Sequence, residues 1–133
     1  MMRFRTLLGL YLAVLVVMVV VPLGELNTTL TDMFVFELRL DYLVHGLVFL
    51  PVPVLWCMGF PGHPIWAVLL VCLALAVGLE GVQYLLPWRA WNVNDALGNS
   101  AGLILGAGCE MIRRWVGYGF LTTEDTEGHG NEF

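Results

Sequence analysis

The chain has 133 residues, of which 59% are apolar and 13% charged, and its mean hydropathy is +0.79. This composition excludes a soluble enzyme domain, and the length excludes an assembly of several domains. The formal charge of −5 arises largely in the last ten residues, which hold Glu124, Asp125, Glu127 and Glu132. The remainder is close to neutral and lacks the basic surface that a nucleic-acid partner requires.

Four apolar segments each approach the roughly 20 residues that a helix needs to cross a membrane. They cover residues 6–23, 41–60, 65–86 and 95–115. The sequence therefore predicts an all-α fold in which residues 1–116 form a four-helix transmembrane bundle. Residues 117–133 are rich in glycine and acidic residues and are predicted to form a disordered cytoplasmic tail.

The segments before the middle of the chain differ in character. The first is almost purely aliphatic, which is typical of an anchor and packing helix. Residues 25–40 mix polar with apolar side chains and favour a segment that lies in the membrane interface. The second helix is predicted to kink, because Pro51 and Pro53 each remove a backbone hydrogen-bond donor near its middle.

The fourth segment carries a regular series of small residues. Gly98, Gly102 and Gly106 recur every four residues. In membrane helices this spacing lets a neighbouring helix approach closely. We therefore interpret these glycines as a packing face.

Arginine residues are divided unequally between the two sides of the predicted bundle. Arg3, Arg5, Arg113 and Arg114 flank one side, whereas Arg39 and Arg89 flank the other. Because basic residues concentrate on the cytoplasmic side, both termini are expected in the cytoplasm. An even number of spans agrees with this orientation, and the chain is predicted to be a multi-pass protein of the plasma or inner membrane.

Under this orientation, polar residues from three helices and one link gather near the outer membrane face. They are Asp41 and His45 on the second helix, Glu80 and Gln83 on the third, Arg89 in the next link, and Asp95 and Asn99 on the fourth. Each helical pair is spaced at i,i+3 or i,i+4 and so shares one helix face. An acidic residue at membrane depth is costly unless paired, so Glu80 is expected to face inward, with Arg89 or His45 as its partner.

The same residues form an ordered pattern along the chain. It consists of Asp41-Tyr-Leu-Val-His45, Glu80-Gly-Val-Gln83, Arg89, and Asp95-Ala-Leu-Gly-Asn99-Ser-Ala-Gly102. This pattern resembles that of the VanZ-like family, with one departure, since Tyr42 stands where that family usually has lysine. The resemblance implies a small multi-pass bacterial membrane protein of the cell envelope. The family is named for an accessory protein of glycopeptide (teicoplanin) resistance, which implies a context and no particular reaction.

The polar cluster favours a site that acts at the outer face on a lipid or lipid-linked component of the cell envelope. In this hypothesis Arg89, Gln83 and Asn99 bind the ligand. The candidate catalytic residues are His45, Glu80, Asp41 and Asp95, with His45 and Glu80 handling a proton. The sequence leaves binding and catalysis open as alternatives.

The main alternative is a non-enzymatic membrane subunit, in which interhelical hydrogen bonds fix the bundle and the glycine-rich helix docks a partner protein. In this alternative, Asp41 and Asp95 only stabilise the starts of their helices, and Arg89 only anchors the chain at the membrane interface. A proton or ion pathway is weaker, because the first span offers almost no polar side chain. A metal site built from Asp41, His45, Glu80 and Asp95 lacks diagnostic spacing, so neither metal nor cofactor is expected.

Overall fold

The computed structural model describes residues 2–21, 34–35, 38–87 and 93–127, and at 19, 34–35, 38–39, 41 and 118–127 it describes the backbone alone. The fold is built from helices, which confirms the predicted all-α class. They are α1 (Met2–Val20), α2 (Leu40–Phe49), α3 (Pro51–Gly59), α4 (Ile65–Tyr84) and α5 (Val93–Glu127).

A short antiparallel ladder precedes α2. Strand β1 (Phe34–Val35) pairs with β2 (Leu38–Arg39), so that Phe34 lies opposite Arg39 and Val35 opposite Leu38. The sequence did not predict these strands, because two-residue strands leave no alternating pattern long enough to recognise. The interfacial position expected for residues 25–40 stays a prediction, and residues 22–33 and 36–37 lie outside the described residues.

The structure divides the second predicted helix at the position where a kink was expected. Leu50 interrupts the helix between α2 and α3, directly before Pro51 and two residues before Pro53. Neither proline has a backbone N–H, so the helical hydrogen-bond ladder is broken here. The Tyr11 hydroxyl of α1 donates a hydrogen bond of 2.8 Å to the Val48 carbonyl, and this contact connects α1 to the last turn of α2.

Helix α5 packs most extensively against α2, and the contact is made backbone to backbone. A Cβ on Gly102 would overlap the backbone of Gly46, and one on Gly106 would overlap the carbonyl of Leu50. A Cβ on Gly98 would lie 2.9 Å from the Tyr42 carbonyl oxygen. The glycine series therefore forms the close packing face that its spacing predicted.

Apolar side chains from every helix meet in one core. The cluster comprises Leu15, Phe49, Val52, Cys57, Val68, Cys72, Ala76 and Leu103. Other apolar side chains point outward: Leu10 is 62% exposed, Val77 63% and Leu105 61%. Apolar surface of this extent on several helices is typical of a protein whose surroundings are lipid.

Two helical stretches of the described residues are long and apolar enough to cross a membrane, namely Tyr42–Gly59 and Ile65–Tyr84. They match the second and third predicted spans. The complete four-span bundle and the cytoplasmic location of both termini stay predictions.

The last helix extends further than the sequence suggested. Its backbone is helical to Glu127, which differs from the disorder predicted from residue 117 onward. Gly117 and Gly119 do not end the helix, because an internal glycine costs only about 1 kcal/mol and no proline follows. Residues 128–133 lie outside the described residues.

Candidate functional site

Asn99 of α5 bridges two other helices through its side-chain amide. Its Nδ2 donates a hydrogen bond of 2.7 Å to Glu80 Oε1 of α4. Its Oδ1 lies 3.0 Å from Nδ1 of His45 on α2. We call these three residues, His45, Asn99 and Glu80, the polar network.

The contacts of the polar network determine the position of its hydrogen atoms when Glu80 is ionised. A carboxylate only accepts hydrogen bonds, so the Asn99 NH₂ group in that state faces Glu80. The Asn99 oxygen then faces His45 and can only accept, which requires a hydrogen on His45 Nδ1. In a neutral imidazole, Nε2 of His45 is consequently the hydrogen-bond acceptor.

Two of the three residues of the polar network are almost completely buried. Glu80 is 3% exposed and Asn99 is 1% exposed, while His45 is partly buried. Gln83, one turn beyond Glu80, is 3% exposed. Glu80 therefore faces the bundle interior, where a carboxylate gains from a hydrogen-bonding partner that replaces water.

Close backbone packing positions the bridge. The small side of α5 lets Gly98 approach α2 so closely that an added Cβ would lie 3.3 Å from His45 Cβ. Asn99, the next residue, can then reach His45. The glycine series and the polar network are therefore linked, because wider helix spacing would separate the hydrogen-bonding groups.

Two more polar residues, at the start of α5, lie at the same end of the bundle as the polar network. Asp95 lies in the first turn of α5 and is 8% exposed. Nearby, the Asn94 side chain donates an exposed hydrogen bond of 3.1 Å to the Tyr42 hydroxyl. Tyr42, which stands where the VanZ-like family usually has lysine, thus contributes a hydroxyl group to this end of the bundle.

Two predicted site residues cannot be placed in the network. Asp41 belongs to α2, but its side chain lies outside the described part of the structure. Arg89 lies outside the described residues, so its pairing with Glu80 stays a prediction. His45, the other expected partner of Glu80, is connected to it through Asn99.

A second polar group, which the sequence analysis did not single out, lies further along α5. The Glu110 side chain is 0% exposed and accepts hydrogen bonds from Arg113 Nε at 2.6 Å and Arg113 Nη2 at 2.7 Å. Arg114 Nε donates to the same carboxylate at 2.8 Å. The signal was present, because Glu110 precedes two arginines by three and four residues, which places all three on one helix face.

This second group lies at the opposite end of the bundle from the polar network. The Arg114 guanidinium approaches the His63 carbonyl, in the turn between α3 and α4, at 3.4 Å and 3.5 Å. Glu80 lies near the far end of α4. Along α5, Asn99 and Glu110 are separated by roughly 16 Å at a rise of about 1.5 Å per residue.

Within the described residues, no three His, Cys, Asp or Glu side chains are arranged to hold a metal ion. The Asp41 side chain, one of the ligands considered from the sequence, is outside that set. Glu80 and His45 both form a hydrogen bond with Asn99.

The apolar helices carry outward-facing apolar side chains and enclose buried polar groups at one end of the bundle. Together these features indicate a membrane protein. The model of the VanZ/LLP1 family matches residues 8–114, which is most of the chain. The chain belongs to this family, as the ordered pattern from Asp41 to Gly102 predicted. Comparisons with curated proteins and with solved structures gave no match.

Proposed function

We propose that the polar network is part of a site that acts on a lipid or lipid-linked component of the cell envelope. The observation that carries the proposal is the hydrogen-bonded chain from buried Glu80 through Asn99 to the partly buried His45. It joins an enclosed acidic group to an imidazole nearer the surface. A membrane location follows from family membership and the two apolar helices.

The proposed placement has four membrane spans, both termini in the cytoplasm and the site at the outer face of the plasma or inner membrane. The support is the arginine distribution, since Arg3, Arg5, Arg113 and Arg114 lie at the end opposite to the polar network. A lipid-linked ligand can enter the site laterally from the outer leaflet, which suits a chain with little structure outside the bundle.

The network can couple the protonation of Glu80 to the tautomer of His45 without moving its helices. With Glu80 ionised, Asn99 donates to Glu80 and accepts from His45 Nδ1. If Glu80 takes up a proton from the ligand or from water and donates a hydrogen bond to the Asn99 oxygen, the amide reverses and donates to His45 Nδ1. For this, the neutral His45 gives its Nδ1 proton to water or the ligand and takes one back at Nε2, which changes from an acceptor to a donor.

The other site residues predicted from the sequence also have roles in this proposal. Arg89 holds an anionic group of the ligand, and Gln83 offers a buried amide one turn from Glu80. Asp41 and Asp95, at the starts of α2 and α5, are further acid–base candidates near the same end. The family's link to glycopeptide resistance makes the cell wall the first envelope component to consider.

The experiment compares variants in a strain that lacks this gene and shows an envelope or glycopeptide-susceptibility phenotype. Glu80→Gln should abolish complementation, because the amide keeps the volume of the side chain but carries no exchangeable acid. Ser100→Ala is the matched control, since Ser100 follows Asn99 and, among the described residues, donates its hydrogen bond to the Ala96 carbonyl of its own helix. Equal complementation by both variants at equal abundance would contradict the proposal.

One observation favours a second candidate, a non-enzymatic membrane subunit. The backbone contact between Gly102 and Gly46 shows that α2 and α5 are packed as tightly as possible, and the network then serves to fix this register. In that case Glu80→Gln lowers stability and leaves complementation proportional to the amount of folded protein.

A further inference from the structure

We propose a second binding site, at the end of the bundle opposite to the polar network, that takes the phosphate of an anionic phospholipid headgroup. The site is formed by Arg5, His63, Arg113 and Arg114, which we call the basic rim. It is separate from the envelope site proposed above and does not depend on that function.

The buried carboxylate of Glu110 positions two arginine side chains of the basic rim. Its carboxylate is fully buried and holds two neighbouring guanidinium groups through three short hydrogen bonds. Arg113 is bound in a two-point contact, through Nε and Nη2, while its side chain remains 51% exposed. The buried acid therefore orients arginine side chains whose outer edges face away from the bundle.

The turn between α3 and α4 continues the basic rim. Arg5 Nε donates a 2.9 Å hydrogen bond to the Gly59 carbonyl, and its guanidinium lies 4.6 Å from the centre of the Phe60 ring. The Phe60 and His63 rings stack with centroids 5.3 Å apart. Arg114 then reaches the His63 carbonyl, which links the two halves of the rim.

The basic rim has more donors than the protein around it uses. Each guanidinium has five N–H groups. Within the described part of the chain, Nη1 of Arg113 and both terminal nitrogens of Arg5 make no hydrogen bond. His63 accepts from Trp56 Nε1 through Nδ1, so a neutral His63 carries its hydrogen on Nε2 and is another donor.

Charge and depth favour a lipid phosphate as the occupant. The rim contains three guanidinium groups, and Glu110 pairs with two of them, so the rim has a positive surplus that attracts an anion. Trp66 and Trp115, which are 66% and 79% exposed, lie beside the turn and beside Arg114. Exposed tryptophans mark the level of lipid headgroups, which is where the phosphate of a phospholipid is found.

The test is native mass spectrometry of the full chain in non-ionic detergent, titrated with phosphatidylglycerol or phosphatidylcholine of identical acyl chains. The wild type should prefer phosphatidylglycerol. Arg5→Gln and Arg113→Gln should each weaken phosphatidylglycerol binding by about tenfold and phosphatidylcholine binding by less, because each removes a positive charge that attracts the net negative headgroup, whereas choline neutralises the phosphate of phosphatidylcholine. Arg113→Lys should keep part of the preference, since the charge remains while the two-point contact is lost.

The matched control is Arg3→Gln, which removes an equal charge from the same helix two residues from Arg5 but outside the rim. It should leave the lipid preference intact. Equal effects of Arg3→Gln and Arg5→Gln, or no preference in the wild type, would overturn the proposal. Full displacement of phosphatidylglycerol by millimolar inorganic phosphate would also overturn it, because the rim would then be a site for a free anion. Circular dichroism of each variant confirms that it is folded.

Discussion

Gly102 of α5 lies against Gly46 of α2 so closely that no side-chain carbon fits between them. We expect Gly102→Ala to lower the free energy of unfolding by about 1–3 kcal/mol, because the added Cβ meets rigid backbone. Gly102→Leu should be worse. The measurement is thermal unfolding of the purified protein in detergent.

Gly108→Ala is the control for this prediction, because it lies on the same helix and a Cβ there meets nothing within 4 Å. It should leave stability unchanged or raise it by up to about 1 kcal/mol, owing to the better helix propensity of alanine. A Gly102→Ala protein as stable as Gly108→Ala would mean that α5 does not pack against α2 in this way.

The hydrogen bond from Tyr11 to Val48 should contribute measurably to the attachment of α1. Tyr11→Phe removes only the hydroxyl and should lower the free energy of unfolding by about 1 kcal/mol. Tyr84→Phe makes the same change on a side chain that is 73% exposed, and should have no effect. Identical melting temperatures for both variants would show that the α1 contact is not formed.

The orientation in the membrane can be tested by labelling single cysteines in a variant whose three native cysteines are replaced by alanine. Cysteines introduced at Thr28 and Asn92 should react with an impermeant reagent from outside the cell. One at Thr123 should react only after permeabilisation, because the arginine distribution places both termini inside. The reverse pattern would move the polar network to the cytoplasmic face.

Several features of the fold could be predicted because they depend on neighbours in sequence. Pro51 and Pro53 lack the N–H that an uninterrupted helix needs and so favour the start of a new helix, and the glycines of α5 form one face through their spacing alone. The need of Glu80 for an interior partner was also predictable from its cost in a membrane.

The identity of that partner was not predictable. Spacing shows which residues share a helix face, but not how far one helix is rotated or shifted relative to another. Asn99 reaches His45 because Gly46 and Gly98 let α2 and α5 come together, and such contacts between distant segments leave no local pattern. The Glu110 group differs, because its spacing to Arg113 and Arg114 places all three on one helix face and makes their contact predictable from the sequence.

The central claim is that the polar network binds or transforms a ligand, and the most direct test is ligand retention after purification. Native mass spectrometry of wild type, Glu80→Gln, His45→Gln and the control Ser100→Ala, compared at equal amounts of folded protein, measures it. We predict that wild type and Ser100→Ala retain the same lipid or lipid-linked molecule, and that both network variants lose it. Retention by Glu80→Gln and His45→Gln at the wild-type level would contradict the claim and favour a purely structural network.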